Sequence, residues 1–361
     1  MESSEGIPRS STSPVSTPYC GSSPVVNLAI RTERAYLRTG ECRVTTLVGV
    51  EKVAAHSVEV LDEASWHARR DAHESRVDAW IQPHLDRRKR REEHPVEDFL
   101  FTYYSQRPAA LRRWHPGFGF ALRGSGAASY LDLKGYDGQG DWAAVTQAYV
   151  DSQRPLVSSL HTLLTATASR PAQLGCFGMH EWAMVYRLDQ SDMRHASWPL
   201  RLGPSGTDEV VESQRIACSH FDAFRFFTDE ARPLNVLQPG RDDRASFEQP
   251  GCLHAGMDLY KHAFRLSPMT CSDLVADCFE LARDIRALDM RASPYDLSDL
   301  GYTPVEIETP EGKQEYAAAQ RSFAERGAPL RQRLIDETAR LLGDPAGHPC
   351  LPPRHESQRT T

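Results

Sequence analysis

Apolar residues recur along this chain mainly at helical spacing. A helix is predicted from Asp62, which can cap its N-terminus, with Trp66 and Val77 on its apolar face. Residues 269–290 and 311–342 show the same periodicity over longer stretches. The pattern therefore predicts a predominantly α protein: one large multi-helix domain with a few short strands.

Exceptions to the helical pattern are short. Residues 120–136 are typical of a hairpin or an extended loop, and a helical pattern resumes from Asp141. The segments 198–202 and 209–216 favour strands, and Pro329 is expected to interrupt the last helix. These features add small strands to a helical framework.

The ends of the chain differ in composition from its middle. Residues 1–22 are rich in Ser and Pro, and the last residues are rich in Pro, His and Arg. We therefore predict a disordered or poorly ordered N-terminal extension over residues 1–60 and a disordered tail over residues 343–361. Between them, residues 61–342 are predicted to form a helical domain of catalytic type.

The bulk composition is that of an ordinary globular protein, with 361 residues, 40% hydrophobic and 25% charged. It contains no apolar run of the roughly 18 residues that a membrane span needs, and no secretion signal, so a cytoplasmic protein without a membrane partner is predicted. The eight cysteines include no CxxC pair and are expected to be reduced thiols. A net charge of −7 argues against a broad basic surface for nucleic acid, although a local basic patch remains compatible with it.

Three stretches place histidines and carboxylates beside cysteines and aromatic residues in otherwise apolar runs. They are GCFGMHEWAMVYR (175–187), CSHFDAFRFF (218–227) and the stretch 252–297. Charged residues are rarely placed inside apolar segments for stability alone. Together the three stretches form the candidate site.

A metal centre is one interpretation of this site. His180, His220 and His254 come from different predicted segments and are suitable ligands for Fe, Mn or Zn in a helical bundle. Neither the H-E-x-x-H spacing of a zinc peptidase nor a repeated Glu-x-x-His motif is present. This interpretation predicts a metal-dependent enzyme of small-molecule metabolism.

Acid–base chemistry without a metal is a second interpretation. Glu181, Asp222, Asp258 and Asp284 are candidate catalytic carboxylates, and His254 shares a helical face with Asp258 because the two are four residues apart. A third interpretation is a non-catalytic helical scaffold, in which the charges from Glu280 to Asp289 hold the helices together.

From about Leu61 to Leu342 the chain resembles a family, widespread in actinobacteria, whose members commonly carry the name 3-methyladenine DNA glycosylase. The resemblance is carried by HPVEDFLFTYYSQRPAALRRWHPG, LGCFGMHEWAMVYR, VESQRIACSHFDAFRFFT, EQPGCLHAGMDLYKHAF, ELARDIRALDMRASPYDL and PVEIETPEGKQEYAAAQRSFAER. It implies a DNA-repair N-glycosylase, a hydrolase that cleaves the glycosidic bond of an alkylated purine flipped out of damaged DNA, without a cofactor.

Under this expectation the catalytic residues are Asp258, His254, Glu181 and Asp222. A cationic alkylated base stacks well on aromatic rings, so the expected substrate-binding residues are Trp182, Tyr186, Trp114, Tyr104, Arg107 and Lys261. The chain departs from two well-known classes with this activity, because neither a helix–hairpin–helix before an Asp nor a terminal zinc clamp is found. The oligomeric state stays open.

Overall fold

Helices dominate the structure, a computed structural model that describes residues 58–193 and 195–344. These residues belong to one compact unit. The prediction of a predominantly α fold with a few short strands is confirmed by twelve α-helices and four strands in the described ranges. The helices are α1 (Glu63–Arg90), α2 (Phe99–Tyr103), α3 (Pro108–Arg112), α4 (Gln147–Ser152), α5 (Arg154–Ala168), α6 (Met179–Ala183), α7 (Gly203–Ser213), α8 (Phe221–Phe224), α9 (Arg244–Phe247), α10 (Leu253–Arg265), α11 (Ser272–Arg291) and α12 (Pro310–Leu342).

The predicted N-terminal extension and C-terminal tail lie almost entirely outside the described residues. Of the extension, residues 58–60 are described, and Glu59 and Val60 belong to the first strand. The first strand thus begins two residues before the boundary expected at residue 61.

One small mixed sheet is built from β1 (Glu59–Leu61), β2 (Phe120–Arg123), β3 (Tyr136–Gln139) and β4 (Trp142–Val145). Its strand order is β1-β2-β4-β3, with β1 parallel to β2 and the other pairs antiparallel. The helical pattern expected from Asp141 is wrong for β4. Gly140 has φ +67°, which suits the tight turn between β3 and β4, and burial then alternates along β4 as in a strand.

The first helix begins as predicted. The Asp62 carboxylate accepts a hydrogen bond of 2.8 Å from the backbone N–H of Ser65, which is the N-cap arrangement. Trp66 and Val77 are fully buried on the inner face of α1. The apolar spacing was therefore a reliable guide here.

Two other local predictions are wrong. Residues 209–213 belong to α7 instead of a strand, and α12 runs unbroken through Pro329. Packing explains the second difference, because Gly327 is buried and a Cβ there would contact Leu281 at 3.6 Å and Leu259 at 3.8 Å. Burial of this face keeps α12 continuous despite the proline. None of the described helices is long and apolar enough to cross a membrane.

Helix α10 is the central element of the fold. It packs against both α11 and α12, and ten of its thirteen residues are buried. Its approach to α11 is close at Gly256, where a Cβ would stand 2.7 Å from Ile285. A helix buried this completely must find partners inside the protein for its polar side chains. Those side chains form the site described next.

Candidate functional site

The three histidines predicted from the sequence lie side by side. The ring centroids of His180 and His254 are 4.4 Å apart, and those of His254 and His220 are 5.3 Å apart. His180 lies on α6, His254 on α10, and His220 directly precedes α8. The fold thus joins the three stretches that the sequence singled out.

The histidines divide between two clusters. In the first triad, His180, His254 and Asp289 place one ligand atom each within 4.8 Å of the others, and all three residues are buried. Nε2 of His180 lies 3.0 Å from Oδ1 of Asp289. Both atoms are buried, and apart from this contact neither has a hydrogen-bond partner in the described chain. Two neighbouring ligands of one metal ion are roughly 3.0–3.4 Å apart when each bond is near 2.1 Å, so this spacing is that of a coordination shell.

An arginine and a glutamate surround the Asp289 carboxylate of the first triad. Nη1 of Arg286 donates to Oδ2 of Asp289 at 2.9 Å and to Oε1 of Glu181 at 3.0 Å. The guanidinium also lies 3.7 Å from the ring centroid of Phe99. These contacts fix the Asp289 carboxylate by one oxygen and leave its other oxygen directed at His180.

The protonation states of the first triad differ from one residue to the next. Burial opposes ionisation of Asp289, but His180 and Arg286 outweigh it and hold the pKa of this carboxyl well below its usual range. Burial also opposes charge on His180, but Asp289 outweighs it and raises the pKa of this imidazole. Burial and the neighbouring His180 lower the pKa of His254 well below the usual histidine value. Asp289 and His254 are therefore in their metal-binding forms, whereas a proton and a metal ion compete for His180.

The backbone before α6 is strained where it presents His180. Phe177 has φ +44° and Gly178 has φ +69°, so two consecutive residues are left-handed. Such a conformation costs a non-glycine residue about 1–3 kcal/mol and persists only where surrounding contacts enforce it. A Cβ on Gly178 would touch the Tyr316 ring at 3.4 Å, so the turn is packed against α12. This turn aims the short helix α6 at the triad.

The second triad consists of His220, Glu248 and Asp258, again buried and within 4.8 Å. Nε2 of His220 lies 3.3 Å from Oδ2 of Asp258 and 3.5 Å from Oε1 of Glu248. Neither nitrogen of His220 has a hydrogen-bond partner within the described ranges. This triad has one imidazole and two carboxylates, whereas the first has two imidazoles and one carboxylate.

Two positively charged side chains, an arginine and a lysine, contact the second triad, whereas one arginine contacts the first. Arg244 donates to Glu248 at 2.5 Å and to Oδ2 of Asp258 at 2.8 Å. Lys261 contacts the same Oδ2, and Oδ1 accepts from the Tyr104 hydroxyl at 3.0 Å. Burial opposes ionisation of Asp258, but Lys261 and His220 outweigh it and keep its pKa well below the usual value. The second triad is thus already neutralised by protein cations.

A cavity of about 450 Å³ opens onto the first triad, with His180 and His254 in its wall. Cys176, Cys218 and Cys252 also line it. Burial raises the pKa of all three thiols, that of Cys218 to about 12, so they are neutral. The thiols that line the cavity beside the two histidines are therefore uncharged.

A narrow pocket of about 20 Å³ reaches the same histidine from another side. Glu181 and Asp222 line it together with His254, and Phe99 and Tyr103 form aromatic parts of its wall. Asp222 also pairs with Lys261 at 3.2 Å. Two of the expected catalytic carboxylates thus share one opening.

The expected base-binding residues occupy other positions. Trp114 and Trp182 are fully buried, and Nε1 of Trp182 donates to the Ala292 carbonyl at 2.9 Å. The Tyr186 hydroxyl donates to Glu212 at 2.8 Å. None of these aromatic residues, nor Tyr104, lines the 450 Å³ cavity. Arg107 lines a different cavity of about 1030 Å³, and Lys261 is engaged by Asp258.

Sequence reasoning missed four residues of the two triads and their surroundings. Asp289 and Arg286 were assigned to helix pairing, yet both are buried at the first triad. Arg244 is the first residue of the short helix α9 and Glu248 directly follows it. Both lie in a stretch without clear periodicity. The spacing Arg286–Asp289, i,i+3 on an otherwise apolar helix face, was the one available signal.

Comparison with known proteins leaves the chain without a matched relative. No family model matches it, and no curated protein or solved structure is significantly similar to it. The functional proposal therefore depends on the residues of the site.

Proposed function

We propose that this protein is a metal-dependent enzyme that acts on a small molecule, with a divalent transition-metal ion held by His180, His254 and Asp289. The observation that carries the proposal is the 3.0 Å contact between His180 Nε2 and Asp289 Oδ1, two buried atoms that have no other hydrogen-bond partner in the described chain. An ion bound between the nitrogen and the oxygen would replace the His180 proton as their shared partner.

The donor set favours particular metals. Two imidazoles and one carboxylate suit Fe(II), Mn(II) or Zn(II), and three protein ligands leave coordination positions for water or substrate. A bound ion of this kind activates water or polarises a substrate oxygen. Arg286 and Glu181 then orient Asp289, as partners of metal ligands commonly do.

The first triad fits an ion better than the second. At the first, no described residue other than His180 makes a hydrogen bond to Oδ1 of Asp289, whereas Arg244, Lys261 and Tyr104 already contact the oxygens of Asp258. A cation entering the second triad has to displace two positive side chains. The first triad also borders the 450 Å³ cavity, which is large enough for a small substrate.

Elemental analysis of untagged protein tests the proposal. Wild type reconstituted separately with Fe(II), Mn(II) and Zn(II), then desalted, is expected to retain about one equivalent of at least one metal. Asp289→Asn and His180→Asn are expected to lose it. Glu280→Gln, a half-exposed position on the same helix that pairs with Arg76, is the matched control. Wild type that retains no metal, or variants that retain as much as wild type, would contradict the proposal.

An N-glycosylase acting on damaged DNA is the second candidate, and the narrow pocket favours it. Glu181, Asp222 and His254 face that opening beside Phe99 and Tyr103, which provide carboxylates and aromatic rings together. With a volume of about 20 Å³, the pocket must widen before a purine enters it. Release of 3-methyladenine from alkylated DNA is the assay. Equal release by metal-stripped wild type and Asp222→Asn would exclude this candidate.

A further inference from the structure

The 450 Å³ cavity combines apolar walls with a positive charge. Its apolar side chains are Met179, Ile216, Val236, Leu237, Phe247 and Leu253. Arg170 and Arg215 line the cavity, and no Asp or Glu is among the described residues that do so. An apolar body and a negative group are therefore the features that this wall complements.

The two arginines are not equivalent. Arg170 donates to the backbone carbonyls of Ala166, Glu248 and Ala245 at 2.5–3.1 Å, so its guanidinium braces the loop before α10. Arg215 is exposed and has no hydrogen bond or ion pair with any other described residue. Its guanidinium is thus available to a ligand.

Arg215 stands at the cavity mouth, which we define as Arg215 and Val236. Both are exposed, as are Pro171, Gln173 and Gly175 elsewhere in the lining, whereas His180 and His254 are buried. Val236 is 51% exposed, so the mouth also offers apolar surface. The lining therefore includes both an exposed cation and the buried histidines.

The mouth is held rigidly by Asn235, which is buried. Ile216 and Asn235 form a parallel bridge, and the backbone N–H of Val236 donates to the Ile216 carbonyl at 3.0 Å. The Asn235 side chain accepts from the N–H of Cys218 at 2.7 Å and donates to the Cys218 carbonyl at 3.0 Å. These bonds fix the chain segments that carry Arg215 and Val236, so an anion site there is preorganised.

We infer that the cavity binds a small monocarboxylate with an apolar body, its carboxylate on Arg215 and its body along the apolar wall toward His180 and His254. A guanidinium pairs with a carboxylate through two parallel hydrogen bonds. A phosphate monoester carries nearly two charges, whereas the mouth offers one available cation, so the carboxylate is the better match. What happens to the ligand at the histidines rests on the proposed metal centre, but its binding does not.

Calorimetric titration with hexanoate tests the inference. Hexanamide removes the charge at constant shape, hexyl phosphate replaces the carboxylate, and butanoate shortens the body. We expect hexanoate to bind at least about tenfold more tightly than hexanamide or hexyl phosphate. Lengthening butanoate to hexanoate is expected to improve affinity by about tenfold, because two more methylenes are buried.

Arg215→Gln is the decisive variant, and Arg321→Gln is its control. Arg321 lies on α12, is exposed and makes no ion pair with another described residue. The first change is expected to weaken hexanoate at least about tenfold and to leave hexanamide unchanged. The second is expected to leave both unchanged. Melting temperatures of both variants confirm that they are folded.

Several outcomes overturn the inference: equal hexanoate affinity in wild type and Arg215→Gln, equal binding of hexanoate and hexanamide, or preferred binding of hexyl phosphate. Repeating the titration after EDTA treatment separates this inference from the metal proposal. Arg215-dependent binding without metal supports the inference even if the protein retains no metal. Stoichiometric metal without hexanoate binding leaves the metal proposal standing and overturns the inference.

Discussion

Nε2 of His180 lies 3.0 Å from Oδ1 of Asp289, and neither atom has another hydrogen-bond partner in the described chain. Arg286 holds the other carboxylate oxygen at 2.9 Å. The buried nitrogen and oxygen thus depend on each other, in a region where an unpaired polar atom costs about 1–3 kcal/mol.

Removing the carboxylate of each triad separately is expected to show which triad binds the ion. Asp289→Asn should weaken metal affinity at least about 100-fold, because it removes a charged ligand. Asp258→Asn should change it by less than about threefold, because that carboxylate is engaged by Lys261 and Arg244. Competition against a chelating indicator dye measures both. A larger loss in Asp258→Asn than in Asp289→Asn would move the ion to the second triad.

Lys261→Met is expected to destabilise the protein by about 3 kcal/mol, because it leaves a buried carboxylate short of a cation. Lys261 contacts Asp258 and lies 3.2 Å from Asp222. Urea unfolding at neutral pH measures the change. Arg265→Met on the same helix, an exposed position, is the control and should stay within about 0.5 kcal/mol of wild type. Equal values for the two variants would show that the Lys261 contact does not stabilise the fold.

Asn235→Ala is expected to lower the free energy of unfolding by about 2 kcal/mol. The change leaves the backbone N–H and carbonyl of Cys218 without their side-chain partner in a buried region. It should also weaken hexanoate binding, since the mouth loses its brace. Gln238→Ala, exposed and three residues along, is the control for both measurements. Unchanged hexanoate affinity in Asn235→Ala would show that binding does not depend on the hydrogen bonds that Asn235 makes at the mouth.

His115 is expected to make the protein less stable in acid. Burial first, and the nearby Arg113 and His73 second, lower its pKa to about 3, and its Nδ1 lies 2.9 Å from the Tyr136 hydroxyl. The unfolded chain binds a proton at this residue below pH about 6.5. The folded chain does not, so stability falls by about 1.4 kcal/mol for each pH unit between about 6.5 and 3.

Unfolding measured from pH 7 to pH 5 checks this effect in wild type and His115→Gln. The variant cannot take up that proton. Its free energy of unfolding should therefore fall by about 1.4 kcal/mol less per pH unit than that of wild type. Parallel curves for the two proteins would mean that His115 does not titrate on unfolding.

Local spacing predicted those parts of the site that depend on neighbours in the chain. His254 and Asp258 share the inner face of α10 as their four-residue spacing indicates, and both are buried. The convergence of His180, His220 and His254 followed from a shared composition of histidine, carboxylate and apolar residues.

Partners distant in sequence were beyond such reasoning. Arg286 meets Glu181 across 105 positions, and nothing in either segment specifies the other. The same limit applies to Trp114 and Trp182, because a tryptophan in an apolar run has one pattern whether it fills the core or lines a pocket. Strand β4 and the unbroken α12 were likewise decided by tertiary contacts that override local preference.

Helix α10 carries one member of each triad, His254 and Asp258, a single turn apart. A helix turn is stiff, so an ion that pulled on His254 would also change the geometry between Asp258 and Lys261. Thermodynamic reciprocity would then apply: whatever free energy the ion gained from the intact lysine contact, that contact would gain from the ion. A substitution of Lys261 is therefore expected to alter the affinity of the proposed metal centre without touching a ligand, within the threefold limit expected for Asp258→Asn.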